Sequence, residues 1–111
     1  MEFAKNLVDI IADKMGSDVL LLDLGDVSLI ADYFLICSAQ SERQINSIAE
    51  DIQTKLKRAG VRVLNLEGTA ASGWVLLDYG GTIVHIFSPQ QRDRYRLEEL
   101  WDKARTVLRL A

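Results

Sequence analysis

The stretch Gly73-Trp74-Val75-Leu76-Leu77-Asp78-Tyr79-Gly80-Gly81-Thr82-Ile83-Val84-His85-Ile86-Phe87-Ser88-Pro89 decides how the rest of this chain is read. Two runs rich in β-branched and aromatic residues flank a Gly-Gly pair, the signature of a β-hairpin closed by a two-residue loop. Two adjacent glycines suit a type I′ turn, which needs positive φ at both central positions. A two-residue loop fixes the register, so Asp78 is expected opposite Ile83, Leu76 opposite His85 and Trp74 opposite Phe87. Strand alternation then sorts the side chains. Val75, Leu77, Val84 and Ile86 share an apolar face, with Tyr79 and Thr82 near the turn. Trp74, Leu76, Asp78, Ile83, His85 and Phe87 share the other. The first is a core face on any reading. The second mixes large aromatics with an acid and the one histidine of the chain. It reads equally as a second packed face, whose polar groups then need partners, or as an apolar patch with polar groups that binds another molecule.

Outward from the hairpin, the pattern is that of one α/β domain spanning residues 1–111. Residues 2–15 have Phe3, Leu7, Ile10 and Ile11 on one helical stripe, and Gly16 suits the C′ position. Val19-Leu20-Leu21-Leu22-Asp23-Leu24 and Tyr33-Phe34-Leu35-Ile36-Cys37-Ser38 suit strands covered on both faces. Ser41-Glu42-Arg43-Gln44 is a capping-box pattern. It opens a helix with Ile45, Ile48, Ala49, Ile52 and Leu56 at helical spacing, ending near Gly60. Val61 to Leu66 alternates like a third strand, and Glu67 to Gly73 reads as a loop. After Pro89, Leu97, Leu100, Trp101, Ala104 and Leu108 mark a C-terminal helix. The expected order is α-β-β-α-β-β-β-α: a five-stranded mixed sheet with flanking helices. The strand–helix–strand unit near residues 33–66 implies one parallel crossover.

Composition narrows the function. The chain has 111 residues, 49% of them hydrophobic, enough for a core and against disorder. A formal net charge of −3, with no dense Lys/Arg cluster, argues against a nucleic-acid footprint and suits a basic protein partner. One cysteine, Cys37, makes no internal disulfide, so a reducing compartment is the default. No signal, transit or membrane-length apolar segment is read, so a cytoplasmic protein is expected.

Enzyme chemistry finds little support. Cys37 sits in an apolar run and reads as an inert buried thiol. One His and one Cys cannot build a typical structural zinc site, and neither a Walker motif nor GxGxxG occurs. Gly16-Ser17 before a strand carrying Asp23, followed by Asp26, has a faint likeness to nucleotidyltransferases. Two-metal chemistry on a strand needs an i, i+2 carboxylate pair, and residue 25 is glycine. No catalytic set and no cofactor are expected; a nucleotide-dependent transferase whose acids meet only in the fold is the competing hypothesis.

Several motifs together resemble the Iojap-related ribosomal silencing factors of bacteria and organelles. They are Asp32-Tyr33-Phe34-Leu35-Ile36, Ser41-Glu42-Arg43-Gln44, Glu67-Gly68, Trp74 to Gly80, Val84-His85-Ile86-Phe87, and Tyr95-Arg96-Leu97-Glu98-Glu99-Leu100-Trp101. They stand in the family's order over nearly the whole chain. The resemblance implies a nucleotidyltransferase-like sheet without the catalytic carboxylates. It implies binding to ribosomal protein fourteen of the large subunit, which blocks joining of the small subunit and represses translation. Organelle relatives imply a role in large-subunit assembly. The chain departs from the family pattern at Gly80-Gly81-Thr82, at Ser38-Ala39 and at Met15-Gly16-Ser17.

The expected partner-binding residues are Glu67, Trp74, Leu76, Asp78, His85 and Phe87. Trp74 is the anchor, since tryptophan is over-represented at interface hot spots. Leu76 and Phe87 extend the apolar patch, and Glu67 and Asp78 meet Lys or Arg of a basic partner. His85 donates a hydrogen bond there or serves the structure. Tyr95, Leu97 and Trp101 are read as a helix packed on the sheet. Little or no direct RNA binding, no membrane association, and a homodimer in the free state complete the expectations.

Overall fold

The computed structural model describes residues 1–101 and 103–110, apart from the side chains of Asp26 and Leu100. Its elements are α1 (Glu2–Asp13), β1 (Ser17–Asp23), a 3-10 turn at Gly25–Val27, β2 (Tyr33–Ser38), α2 (Glu42–Arg58), β3 (Asn65–Thr69), β4 (Trp74–Asp78), β5 (Thr82–Phe87), α3 (Pro89–Tyr95), α4 (Leu97–Leu100) and β6 (Arg105–Leu110). The strands form one sheet in the order β3-β4-β5-β2-β1-β6. β2 and β5 are parallel, and the other neighbours are antiparallel. The crossover through α2 returns β3 in the direction of β2, with β5 and β4 between them.

The hairpin pairs in the expected register: Trp74 with Phe87, Leu76 with His85, Asp78 with Ile83. Its turn is not type I′, because only Gly80 takes positive φ, at +88°. The Asp78 Oδ1 accepts from the Gly80 N–H at 2.8 Å. The Gly81 carbonyl accepts from the Asp32 and Tyr33 N–H groups at 2.8 and 2.9 Å, which ties the turn to the start of β2.

Both faces of the sheet are packed. On one, α1 and α2 lay Leu7, Ile11, Ile45, Ile48 and Ile52 against Leu35, Val75, Leu77, Val84 and Ile86. On the other, Leu20, Leu22, Phe34, Ile36, Ile83 and Phe87 are met by Trp74, Leu97 and Trp101. Each fully buried aliphatic side chain here contributes about 1.5–3 kcal/mol by leaving water. No helix among the described residues is long and apolar enough to cross a membrane.

Four local expectations are corrected. The sheet has six strands, since Arg105–Leu110 pairs antiparallel with β1 instead of continuing a C-terminal helix. Arg96 at φ +47° ends α3, α4 is one short turn, and β6 then covers the edge that Val19 to Leu22 would leave open. The third strand begins at Asn65, not Val61. Gly60 and Val61 close α2, donating to the carbonyls of Lys57 and Leu56 at 3.0 and 2.8 Å, a Schellman closure that occupies Val61. Glu67 to Thr69 therefore lie in a strand, not in a loop. At the end of α1, Met15 takes the left-handed position at φ +64°, and Gly16 follows it, donating to the Ile11 carbonyl at 3.0 Å.

Ser41 caps α2 as its sequence implies, accepting from the Gln44 N–H at 3.1 Å. Gln44 reaches one residue further than a capping box requires, accepting from the Gln40 N–H at 2.6 Å. Its amide donates to the Lys14 and Met15 carbonyls at 3.1 and 2.9 Å. One side chain thus joins the start of α2 to the free carbonyls at the end of α1.

Candidate functional site

The mixed face of the hairpin divides in two. Phe87 and His85 are 0% and 3% exposed, on the central strand β5, while Trp74 and Leu76 on β4 are half-buried. The expectation that Phe87 and His85 themselves touch a partner is therefore corrected: they lie beneath Trp74, out of reach. Phe87 stands 4.8 Å from Trp74 between ring centroids.

Trp74 is held on several sides. Tyr95 of α3 packs on it at 4.8 Å. The indole Nε1–H donates to His85 Nδ1 at 3.2 Å. That bond requires His85 to be neutral with its proton on Nε2, and burial pushes the imidazole down to about 4. Phe34 meets the imidazole edge-to-face at 4.8 Å, and Trp101 meets Phe34 at 5.5 Å. The aromatic series is continuous from the interior to Tyr95, which is 45% exposed.

Beside Trp74 opens a cleft of about 370 Å³, lined also by Glu67, Gly68, Ser72, Leu76, Gln91 and Tyr95. Glu67 is exposed on the edge strand directly opposite Leu76, and its Oε2 accepts from Asn65 Nδ2 at 2.8 Å. Gly68 sits at φ +82°, and a Cβ there would come within 2.0 Å of the Trp74 carbonyl oxygen; glycine lets the edge strand close on β4. Asp78 shares this side of β4 but lies beyond Leu76 toward the turn, where it caps Gly80. The structure thus brings Glu67, Trp74 and Leu76 together and sets Asp78 apart.

The far wall comes from α3. Ser88 caps it, accepting from the Gln91 N–H at 3.2 Å, with Pro89 at its first position. Gln91 Nε2 donates to the Ser72 carbonyl at 3.0 Å. Arg92 fixes the helix to the sheet, donating to the Asp18 carbonyl, to Ser38 Oγ at 3.0 Å and to Glu98 Oε1 at 3.2 Å. Gln91 and Tyr95 were missed as site residues by the sequence reading. Ser88-Pro89, a cap followed by an N1 proline, was the available signal. It starts a helix whose i, i+4 pair Gln91 and Tyr95 shares a face.

The arrangement is suited to binding: an aromatic floor, an aliphatic flank, and a carboxylate at the rim. Elsewhere, Cys37 is fully buried and its thiol is pushed up to about 12 by burial, with Arg92 pulling it slightly back; it is not a thiolate at neutral pH. Asp23 pairs with Arg105 at 2.9 Å, and the side chain of Asp26 lies outside the described residues. No group of three or more His, Cys, Asp or Glu placed to hold a metal occurs among the described residues.

Comparison with known proteins places this geometry in a context. The family model described as "ribosomal silencing factor during starvation" matches residues 1–110. The ribosomal silencing factor RsfS of Bacillus subtilis is 42% identical over 92 residues, 83% of this chain and 78% of that protein. A crystal structure of a Chromobacterium violaceum protein superposes with a TM-score of 0.86 at 34% identity, covering 91% of this chain and 84% of that one. A more distant relative is the mouse protein named mitochondrial assembly of ribosomal large subunit protein 1. It is 26% identical over 98 residues, 86% of this chain and 43% of its own length.

Proposed function

Because the chain belongs to the family of ribosomal silencing factors, we propose that it binds the large ribosomal subunit through ribosomal protein fourteen and sterically blocks the small subunit from joining. The observation that carries this reading is the Trp74 cleft. A half-buried indole, packed from behind by Phe87 and beside Tyr95, is a preorganised anchor of the kind that dominates protein interfaces. Leu76 extends the apolar surface, and Glu67 at the rim meets a Lys or Arg of a basic partner. Asp78 adds to the acidic side near the turn. The role is regulatory, in keeping with the family's name, and needs neither a cofactor nor a membrane; its place is the cytoplasm.

Co-sedimentation with purified large and small subunits tests the reading. The protein travels with large subunits only, and a salt series weakens the complex moderately, since rim charges are screened over about 8 Å at physiological salt while the apolar anchor persists. A salt slope as steep as that of a protein neutralising many phosphates points to direct RNA contact instead. The name of the mouse relative favours a second reading, participation in large-subunit assembly. Depletion separates the two: an assembly role predicts accumulated incomplete large subunits, and silencing predicts complete subunits that join more readily.

A further inference from the structure

We infer that His85 is a positioning residue for this binding surface: by accepting the Trp74 indole proton it fixes the anchor in its docking rotamer. The inference rests on the reading of the cleft given above. The geometry is specific. Trp74 Nε1 meets His85 Nδ1 at 3.2 Å, diagonally across neighbouring strands, since Leu76 stands opposite His85 and Trp74 opposite Phe87. His85 is 3% exposed among apolar and aromatic neighbours. Its rotamer is held by Phe34 at 4.8 Å and by Phe87, stacked at 6.1 Å with the planes 10° apart.

A histidine is an uneconomical way to fill that space. Its Nε2, the atom that must carry the proton when Nδ1 accepts, is buried and has no hydrogen-bond partner among the described residues. Leaving a buried donor unmade is unfavourable, and a ring of carbon would fill the site without that cost. The property of imidazole that a phenyl ring lacks is the Nδ1 lone pair, and the structure uses that lone pair on Trp74. An indole without it is free to turn its N–H to water, and the partner must then reselect the docking rotamer, which weakens binding.

Two variants and one direct observation test this. His85→Phe keeps the ring and removes the acceptor. It is expected to melt at or above the wild-type temperature, yet to bind purified large subunits about three- to tenfold more weakly, the worth of one hydrogen bond. His85→Asn places an amide oxygen near the Nδ1 position. Being smaller it lowers the melting temperature, but its folded fraction is expected to bind within about twofold of wild type, because the acceptor is restored. In the unmodified protein, nitrogen NMR is expected to show His85 protonated on Nε2. The Trp74 indole N–H, assigned with Trp101→Phe, should exchange slowly, and should exchange faster in His85→Phe. A proton found on Nδ1, wild-type affinity in His85→Phe, or an affinity in His85→Asn no better than in His85→Phe overturns the inference. If His85→Phe fails to fold, the tautomer and the affinity of His85→Asn decide. Failure of wild-type protein to bind large subunits at all sinks the binding reading instead, and leaves the tautomer and exchange measurements to judge the positioning of Trp74 on their own.

Discussion

Truncation of Trp74 to alanine separates binding from folding, and the structure sets the size of each effect. A fully buried tryptophan costs ~3–5 kcal/mol of stability when cut to alanine. Trp74 is only half-buried, but it packs on Phe87 and Tyr95 and bonds His85, so about 2–3 kcal/mol is expected. A domain of this size then melts roughly 8–15 °C lower and stays folded at 25 °C, given a total stability of about 5–15 kcal/mol. Loss of an interface hot spot weakens binding by about 2–4 kcal/mol, on the order of 30- to 1000-fold. Leu77→Ala is the matched control. Leu77 is 0% exposed on the opposite face of the same strand, and its truncation costs ~2–5 kcal/mol of stability without touching the cleft. Thermal denaturation and titration against large subunits, on both variants, give four numbers. The expected pattern is similar destabilisation in the two and lost binding in Trp74→Ala alone. Equal affinity in the two variants, once corrected for the folded fraction, would refute the assignment of Trp74 as anchor.

Three other perturbations follow from particular contacts. Burial holds His85 down at about 4, against 6.5 for the free side chain, so below pH 6.5 the unfolded chain takes up a proton that the folded one refuses; stability falls by about 3 kcal/mol from pH 6.5 to 4 and this contribution then levels off, and urea titrations across that range should show the slope in wild type and its loss in His85→Phe. Gly68→Ala puts a methyl against the Trp74 carbonyl at a backbone angle unfavourable to L-residues; it is expected to cost ~2–3 kcal/mol and, by pushing β3 away from β4, to weaken large-subunit binding by more than Leu77→Ala does. Gln44→Ala removes an acceptor for Gln40 and a donor to Lys14 and Met15; a stability lowered by about 1–2 kcal/mol, seen as a lower melting temperature, with unaltered binding is expected, and an unchanged melting temperature would contradict the bridging role of that side chain.

What was legible in the sequence followed periodicity and turn chemistry. Gly80-Gly81 between two β-rich runs gave the hairpin and its register, and Ser41 with helical spacing from Ile45 to Leu56 gave α2. The C-terminal strand was hidden because Leu97, Trp101, Ala104 and Leu108 satisfy helical spacing, while the helix stops after one turn at Leu100, where Trp101 leaves the helical backbone and its carbonyl accepts from the Ala104 N–H at 2.9 Å, which no residue type announces there. Val61 looked like the start of a strand because Val61 to Leu66 alternates, and it is kept out of the strand because its N–H is claimed by the end of α2, a contact set by backbone geometry. In the site, alternation correctly put Trp74, Leu76, His85 and Phe87 on one face. It could not say that β5 is central and β4 next to the edge, and that order, set by long-range pairing of β5 with β2, is why His85 and Phe87 are buried while Trp74 and Leu76 remain within reach. Tyr95 belongs to the cleft through α3, whose packing rests on Arg92 reaching residues far away in sequence.

Site-specific photocrosslinking from the cleft tests the central claim most directly. A benzophenone amino acid in place of Glu67, at the exposed rim opposite Leu76, is irradiated in the presence of purified large subunits, and the attached molecule is identified by mass spectrometry. Ribosomal protein fourteen is the expected product, and its yield should fall sharply when Trp74→Ala is combined with the probe. A crosslink to ribosomal RNA or to a different protein, or one whose yield ignores Trp74, would contradict the docking of that protein on this face.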